Sequence, residues 1–188
     1  TSYILKVVDG KYLSHVYYGK IVRSDELSYL LRPEEIVPPS IKPEEQLGFR
    51  DSIQMEYPCQ GIGDFRECCI AVKNNSGQIG CDLSYKDYEI VRGKTKVTGL
   101  PTCYGNNAET LIIRLTDDLY GLSVSLFFTV FEDCDAVIRS AIIENNGSNP
   151  LFVERAMSVC LDFEMEDCEA ITQCGAWARE HIIERTIA

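Results

Sequence analysis

Only two histidines and one tryptophan occur in the 188 residues, and that scarcity removes most side-chain chemistry at once. Neither His15 nor His181 lies in a spacing associated with a metal centre or an activated nucleophile, so both read as structural. There is no G-x-S-x-G elbow, no Cys/His pairing with a recognisable motif and no phosphate-cradling glycine loop. Gln60-Gly61-Ile62-Gly63-Asp64 precedes a strand rather than opening a helix, which removes its anion-binding rationale. Basic charge is also short. Eighteen Lys and Arg stand against 29 Asp and Glu, and the resulting charge of -11 repels a phosphate backbone and an anionic lipid surface alike. No nucleic-acid or membrane partner is expected. No apolar run approaches the roughly 20 residues that span a bilayer, and Thr1-Ser2-Tyr3-Ile4-Leu5-Lys6 lacks the layout of a secretory signal.

What is present suits a folded chain, with 45% hydrophobic and 25% charged residues. The nine cysteines are odd in number and contain no C-x-x-C pair, so neither a disulfide framework nor a zinc site is indicated. A reducing cytoplasm is the expected compartment, and no metal or cofactor is expected. Cys69 in ECCIAV and Cys160 in MSVCLDF fall in strand-like runs, where a thiol behaves as a small buried hydrophobe. The sequons at Asn74 and Asn146 coincide with turn signals and read as turns.

Periodicity favours sheet almost throughout. Ser2 to Val8 and Lys11 to Tyr18 flank Asp9-Gly10, which supplies the positive φ angles of a type I′ hairpin. A strand from Phe65 to Lys73 leads into Asn74-Asn75-Ser76-Gly77, and the segment from Gln78 to Val91 is expected to return beside it. Thr110 to Thr116, Gly121 to Glu132, Ala136 to Glu144 and Leu151 to Phe163 predict a four-strand antiparallel meander. In its second strand Leu122, Val124, Leu126, Phe128 and Val130 share one face, and Ser123, Ser125, Phe127, Thr129 and Phe131 the other. A strand apolar on one side and mixed on the other belongs mid-sheet, facing a second layer. The expected architecture is therefore an all-β antiparallel β-sandwich with little helix. The one helical signal, residues 24–31, is capped by Ser24 and stopped by Arg32-Pro33. Five prolines between residues 33 and 58 mark a long extended connection.

Three places carry chemistry worth weighing. Gly175-Ala176-Trp177-Ala178-Arg179-Glu180 offers a flat aromatic face on which a sugar can stack, beside charged groups able to bond hydroxyls. Asp64 and Arg66, two residues apart, are expected to share a strand face and form a structural ion pair. The acids Glu164, Glu166, Asp167 and Glu169 read as a solvated surface, because a glycosidase carboxylate pair is defined by tertiary geometry.

Six segments, SYILKV…KYLSHVYYGK, EYPCQGIGDFR, GLPTCYGNNAETLIIRLTD, GLSVSLFFTVFEDCDAVIRS, ERAMSVCLDF and GAWARE, occur in one order along the chain. Together they resemble the N-terminal domain of family-36 α-galactosidases. The resemblance implies that residues 1–188 are part of a β-supersandwich, cut within or shortly before its end. A catalytic (β/α)8 barrel, which needs about 250 residues, and a C-terminal β-domain would follow. It further implies a retaining exo-α-galactosidase acting on melibiose- and raffinose-type sugars, in many members a cytoplasmic tetramer. The family's two catalytic aspartates lie on the barrel, and no residue here matches them. Trp177 matches the family tryptophan that lines the substrate pocket. An acidic residue of the long early loop, reaching a neighbouring subunit's site in relatives, aligns at Arg32-Pro33-Glu34-Glu35. Glu35 or Glu34 would fill that role, Glu standing where the family has Asp. Asp64, Arg66 and Arg179 are supporting candidates. The alternative is a free-standing carbohydrate-binding or oligomerisation β-sandwich without activity.

Overall fold

The structure, a computed structural model, describes residues 1–23, 27–31, 53–99, 101, 103, 105, 107–161 and 168–187. Among the described residues ten strands form four antiparallel sheets, with one short 3-10 turn at Ser28–Leu30. Ser2–Val8 (β1) and Tyr12–Gly19 (β2) make the expected hairpin. Asp9 and Gly10 both adopt positive φ, and the Lys11 N–H donates to the Val8 carbonyl at 3.0 Å. Both angles are what a type I′ turn demands.

Ser84–Arg92 (β4), Ala108–Asp117 (β5), Leu122–Phe131 (β6) and Cys134–Asn145 (β7) form a four-stranded sheet in that order. Opposite one another on its core face lie Leu111 and Phe128, Ile113 and Leu126, and Leu115 and Val124. Ala141 and Ile143 of β7 continue that face beside Leu126 and Val124. Against it pack Tyr12 and Leu13 of β2, Met55 and Tyr57, Leu83, and Ile70 and Val72 of Ile70–Lys73 (β3). Two apolar layers thus enclose one core, each large side chain contributing about 1.5–3 kcal/mol by leaving water. The reverse face of β5 and β6 is mixed, as its sequence requires. Thr110 and Thr129 pair there through a 2.8 Å hydroxyl bond, and the Thr110 hydroxyl donates to the Gly93 carbonyl.

Two predicted pairings are corrected. The segment after the Asn74 turn does not return along β3. Asn74 Oδ1 accepts the Ser76 and Gln78 N–H groups, and one bridge joins Lys73 to Ile79. Gly80, at φ +132, then turns the chain out of the extended course, and β4 pairs with β5 instead. The meander also contains β4 rather than the segment after residue 150. Phe152–Ala156 (β8) leaves to pair with β3. Its departure follows from an anchor: the Asn146 N–H donates to the Gly121 carbonyl, carrying the loop across the end of the sheet. Gly121 has φ +67, and a Cβ there would lie 2.6 Å from Gly147. Only glycine fits so close a crossing.

The register places one cation in this core. Arg139 lies opposite Phe128, in phase with Ala141 and Ile143, so its side chain faces inward. Its guanidinium stacks 3.7 Å from the Phe128 ring centroid and forms an ion pair with Glu56, whose side chain is fully buried. Glu56 also accepts the Tyr3 hydroxyl at 2.8 and 2.9 Å and meets His15 Nδ1 at 3.1 Å. Burial, and then the Glu56 charge, push the Tyr3 phenol well above its ordinary range, so it remains a donor. Truncating Glu56 to Ala would leave Arg139 uncompensated, costing about 3–5 kcal/mol in urea unfolding, whereas a Glu56→Leu/Arg139→Met pair should recover most of that loss.

Candidate functional site

Glu169–Ala176 (β9) and Arg179–Ile187 (β10) form a hairpin with Trp177 and Ala178 at its tip. Every described residue of the two strands is exposed, and Trp177 is 94% exposed. The tip is strained in a specific way. Ala178 and His181 take φ of 65° and 61°, and the register slips between Arg179 and Ile182. An alanine in the left-handed region costs about 1–2 kcal/mol relative to its usual conformation, and a bulge re-aims the side chains around it. Glu180 is used internally: its Oε1 accepts the Ala178 N–H at 3.2 Å, closing the turn. Trp177 is left presenting its ring outward, with Arg179 as the neighbouring cation. This is an exposed aromatic platform, with Arg179 two residues further along the chain.

The hairpin's two faces differ. Ile171, Ile183 and Ile187 lie on one face, bridged at its far end by the 2.7 Å pair between Arg185 and Glu169. Ile182, Cys174 and Glu184 lie on the other, where the Cys174 thiol donates to Glu184 at 3.3 Å. An isolated two-stranded ribbon is marginal in water. In the 188-residue chain, backbone amides of β9 and β10 should therefore exchange with deuterium at least tenfold faster than those of β6, whose side chains fill the core.

Asp64 and Arg66 do pair, but in a loop rather than on a strand. Arg66 Nη2 reaches Asp64 Oδ2 at 2.6 Å and donates to the Met55 carbonyl at 2.8 Å. Asp64 in turn accepts the N–H groups of Met55 and Arg66 at 3.2 and 3.1 Å. The carboxylate is almost wholly buried, so the pair ties residues 55–66 into a closed brace behind Glu56. Its bonds are all spent on this chain. Replacing Asp64 by Ala should cost about 3 kcal/mol in urea unfolding, through stranded N–H donors and an unpaired guanidinium.

Glu34 and Glu35 lie outside the described residues, as do Ser24 and most of the proline-rich connection. The remaining candidates fall in two separate places, the hairpin tip and the Asp64–Arg66 brace. His15 is buried against Glu56, and His181 sits 3.4 Å from Gln173 Oε1 on the exposed hairpin. Among the described residues no three His, Cys, Asp or Glu side chains converge as a metal site. No helix among them is long and apolar enough to cross a membrane. The Glu56–Arg139 centre was missed from sequence. Its four side chains come from positions 3, 15, 56 and 139. The one usable signal is Arg139 standing in phase with Val137, Ala141 and Ile143.

Residues 11–187 match the glycosyl hydrolase family 36 N-terminal domain. α-Galactosidase AgaA of Geobacillus stearothermophilus is 38% identical over 98% of this chain, which spans 26% of that protein. α-Galactosidase Mel36A of Lactobacillus acidophilus is 33% identical over 98% of the chain, again across 26% of its length. Among solved structures, a variant of the Geobacillus stearothermophilus AgaA in complex with raffinose superposes with TM-score 0.87, at 37% identity over 99% of this chain and 26% of that one. The α-galactosidase from Lactobacillus brevis superposes with TM-score 0.86 at 29% identity over 99% of this chain and 26% of that one.

Proposed function

We propose, since this chain belongs to the glycosyl hydrolase family 36 N-terminal domain family, that it is the non-catalytic N-terminal domain of a retaining α-galactosidase. The observation that carries the reading is the continuous match over residues 11–187, in a chain spanning 26% of its α-galactosidase relatives. The substrates are sugars ending in α-galactosyl residues, of the melibiose and raffinose type. One related structure holds raffinose and another stachyose. The catalytic carboxylates lie on a barrel outside these residues, where one attacks the anomeric carbon and the other protonates the leaving oxygen.

This domain supplies walls and contacts. Trp177 stacks on a galactoside ring and Arg179 supports it, which accounts for a strained turn holding an aromatic ring in the open. The Ile171, Ile183 and Ile187 face of the hairpin packs on the remainder of the protein. Glu35 or Glu34 reaches the site of a neighbouring subunit in a homo-oligomer, a tetramer for the intact enzyme. A cytoplasmic location suits nine cysteines held as thiols.

Two measurements test the reading. The 188-residue chain alone should not hydrolyse a chromogenic α-galactoside, whereas the intact protein should. In the intact protein, Trp177→Ala should lower kcat/KM about fivefold, mostly through KM, while Trp177→Phe retains most activity, since a stacking contact is worth about 1 kcal/mol. Unchanged KM in the alanine variant would remove Trp177 from the pocket.

A further inference from the structure

The turn at Asn146 has no part in the function proposed above, yet it is chemically labile. Asn146-Gly147 is the one Asn-Gly pair in the sequence, and residues 144–150 are exposed. The fold requires the glycine, because a Cβ at position 147 would lie 2.4 Å from the Tyr120 carbonyl oxygen. The asparagine is held on both sides. Its N–H donates to the Gly121 carbonyl at 2.8 Å, and its Nδ2 donates to Ser123 Oγ at 2.9 Å. The crossing of the two loops therefore sets an asparagine amide next to a backbone nitrogen that no side chain shields.

We propose that Asn146 is a self-modification site, converting to aspartate and isoaspartate through a succinimide, and that the hydrogen bonds of the crossing control its rate. Hydroxide takes the Gly147 amide proton, and the nitrogen attacks Asn146 Cγ. The Cγ–Nδ2 bond breaks, and the leaving nitrogen takes a proton from water, regenerating hydroxide, and departs as ammonia. Water then reopens the five-membered ring. Addition at Cγ gives aspartate in an unchanged main chain. Addition at the main-chain carbonyl carbon leaves Gly147 joined through Cγ, which is isoaspartate. One water is consumed and one ammonia released, with no change of oxidation state.

Ring closure needs two bonds of the folded loop to open. The Gly147 N–H donates to Asn145 Oδ1 at 3.0 Å, and Asn145 is itself fixed by the 2.8 Å bond from its Nδ2 to the Asn149 carbonyl. Asn146 Nδ2 must also leave Ser123. An ordinary hydrogen bond slows such an opening about fivefold, so the native loop reacts more slowly than the same residues in a free peptide. Isoaspartate adds a methylene to the main chain where not even a Cβ fits, which breaks the bond to Gly121 and loosens the departure of β8 toward β3. Both products also place a carboxylate beside Ser123, which lies opposite Glu144. Other asparagines are less disposed to react. Asn75 precedes Ser76, whose side chain crowds the nitrogen and whose N–H is held by Asn74 Oδ1 at 2.9 Å, and Asn149 precedes a proline, which has no N–H.

The test incubates the intact protein at mildly alkaline pH and maps its peptides by mass spectrometry over time. The peptide holding Asn146 should become one mass unit heavier and split into two chromatographic forms, before any change at Asn75. Asp9-Gly10 forms the same ring by losing water and regains its mass on opening, so the mass gain isolates the asparagine. A free peptide of residues 142–150 should convert at least about tenfold faster, and Ser123→Ala should speed the intact protein about fivefold. Asn146→Asp carries the charge without the methylene and should keep the deuterium-exchange protection of β8, which the isoaspartyl form should lose. Asn146 unchanged after about a hundred half-lives of the free peptide, well beyond the slowing two hydrogen bonds supply, or Asn75 reacting first, would overturn the site. A free peptide no faster than the protein, or an unchanged rate in Ser123→Ala, would overturn control by the crossing.

Discussion

A single buried carboxylate sets the terms for this fold. Glu56 binds β1 through Tyr3, β2 through His15 and β7 through Arg139, and so touches both layers of the core. Removing two charges from water costs several kcal/mol per ion unless their hydrogen-bonding capacity is filled. Here the filling is nearly complete. Arg139 Nε is left without a partner among the described residues, and the Phe128 ring face offsets part of that cost. Apolar packing tolerates small slips, whereas this network accepts one geometry. The ion pair therefore defines how the β1–β2 hairpin sits on the four-stranded sheet.

That requirement spreads outward. Glu56 is held in place because its own segment is closed by Asp64 and Arg66, and because the Tyr57 hydroxyl donates to the Met157 carbonyl at 2.8 Å. The β3–β8 sheet is thereby fastened to the same centre. By contrast the β9–β10 hairpin shares none of these bonds, and its side chains stand in solvent. The two parts thus differ in how they are held, and Trp177 stands on the exposed one.

Local signals in the sequence were sufficient wherever the physics was local. Asp9-Gly10 announced its hairpin because two positive φ angles leave few alternatives, and β6 announced its faces because Leu122 to Leu126 alternate apolar and polar without a break. Pairing was harder to read. Nothing at positions 70–73 tells that β3 should meet β8 rather than the segment immediately after it, since that choice rests on Gly80 and on the Asn146 anchor far along the chain. The site divides in the same way. Trp177 stood out by being the sole residue of its kind, and the Asp64–Arg66 pair by proximity. Glu56 did not, because a lone glutamate before Tyr57-Pro58 resembles any surface acid until the fold brings the Arg139 guanidinium against it.

The Gly121–Gly147 crossing has a consequence for how such a domain can diversify. Where two backbones touch, neither loop can lengthen without lifting the other, so length change at the β5–β6 and β7–β8 connections is blocked together. Variation in size must be taken up by connections that rest on nothing so close, such as the Asn74 turn, where a Cβ added to Gly77 would meet no atom within 4 Å. A glycine contact at one end of a sheet thereby decides which loops are free to drift and which must keep their length.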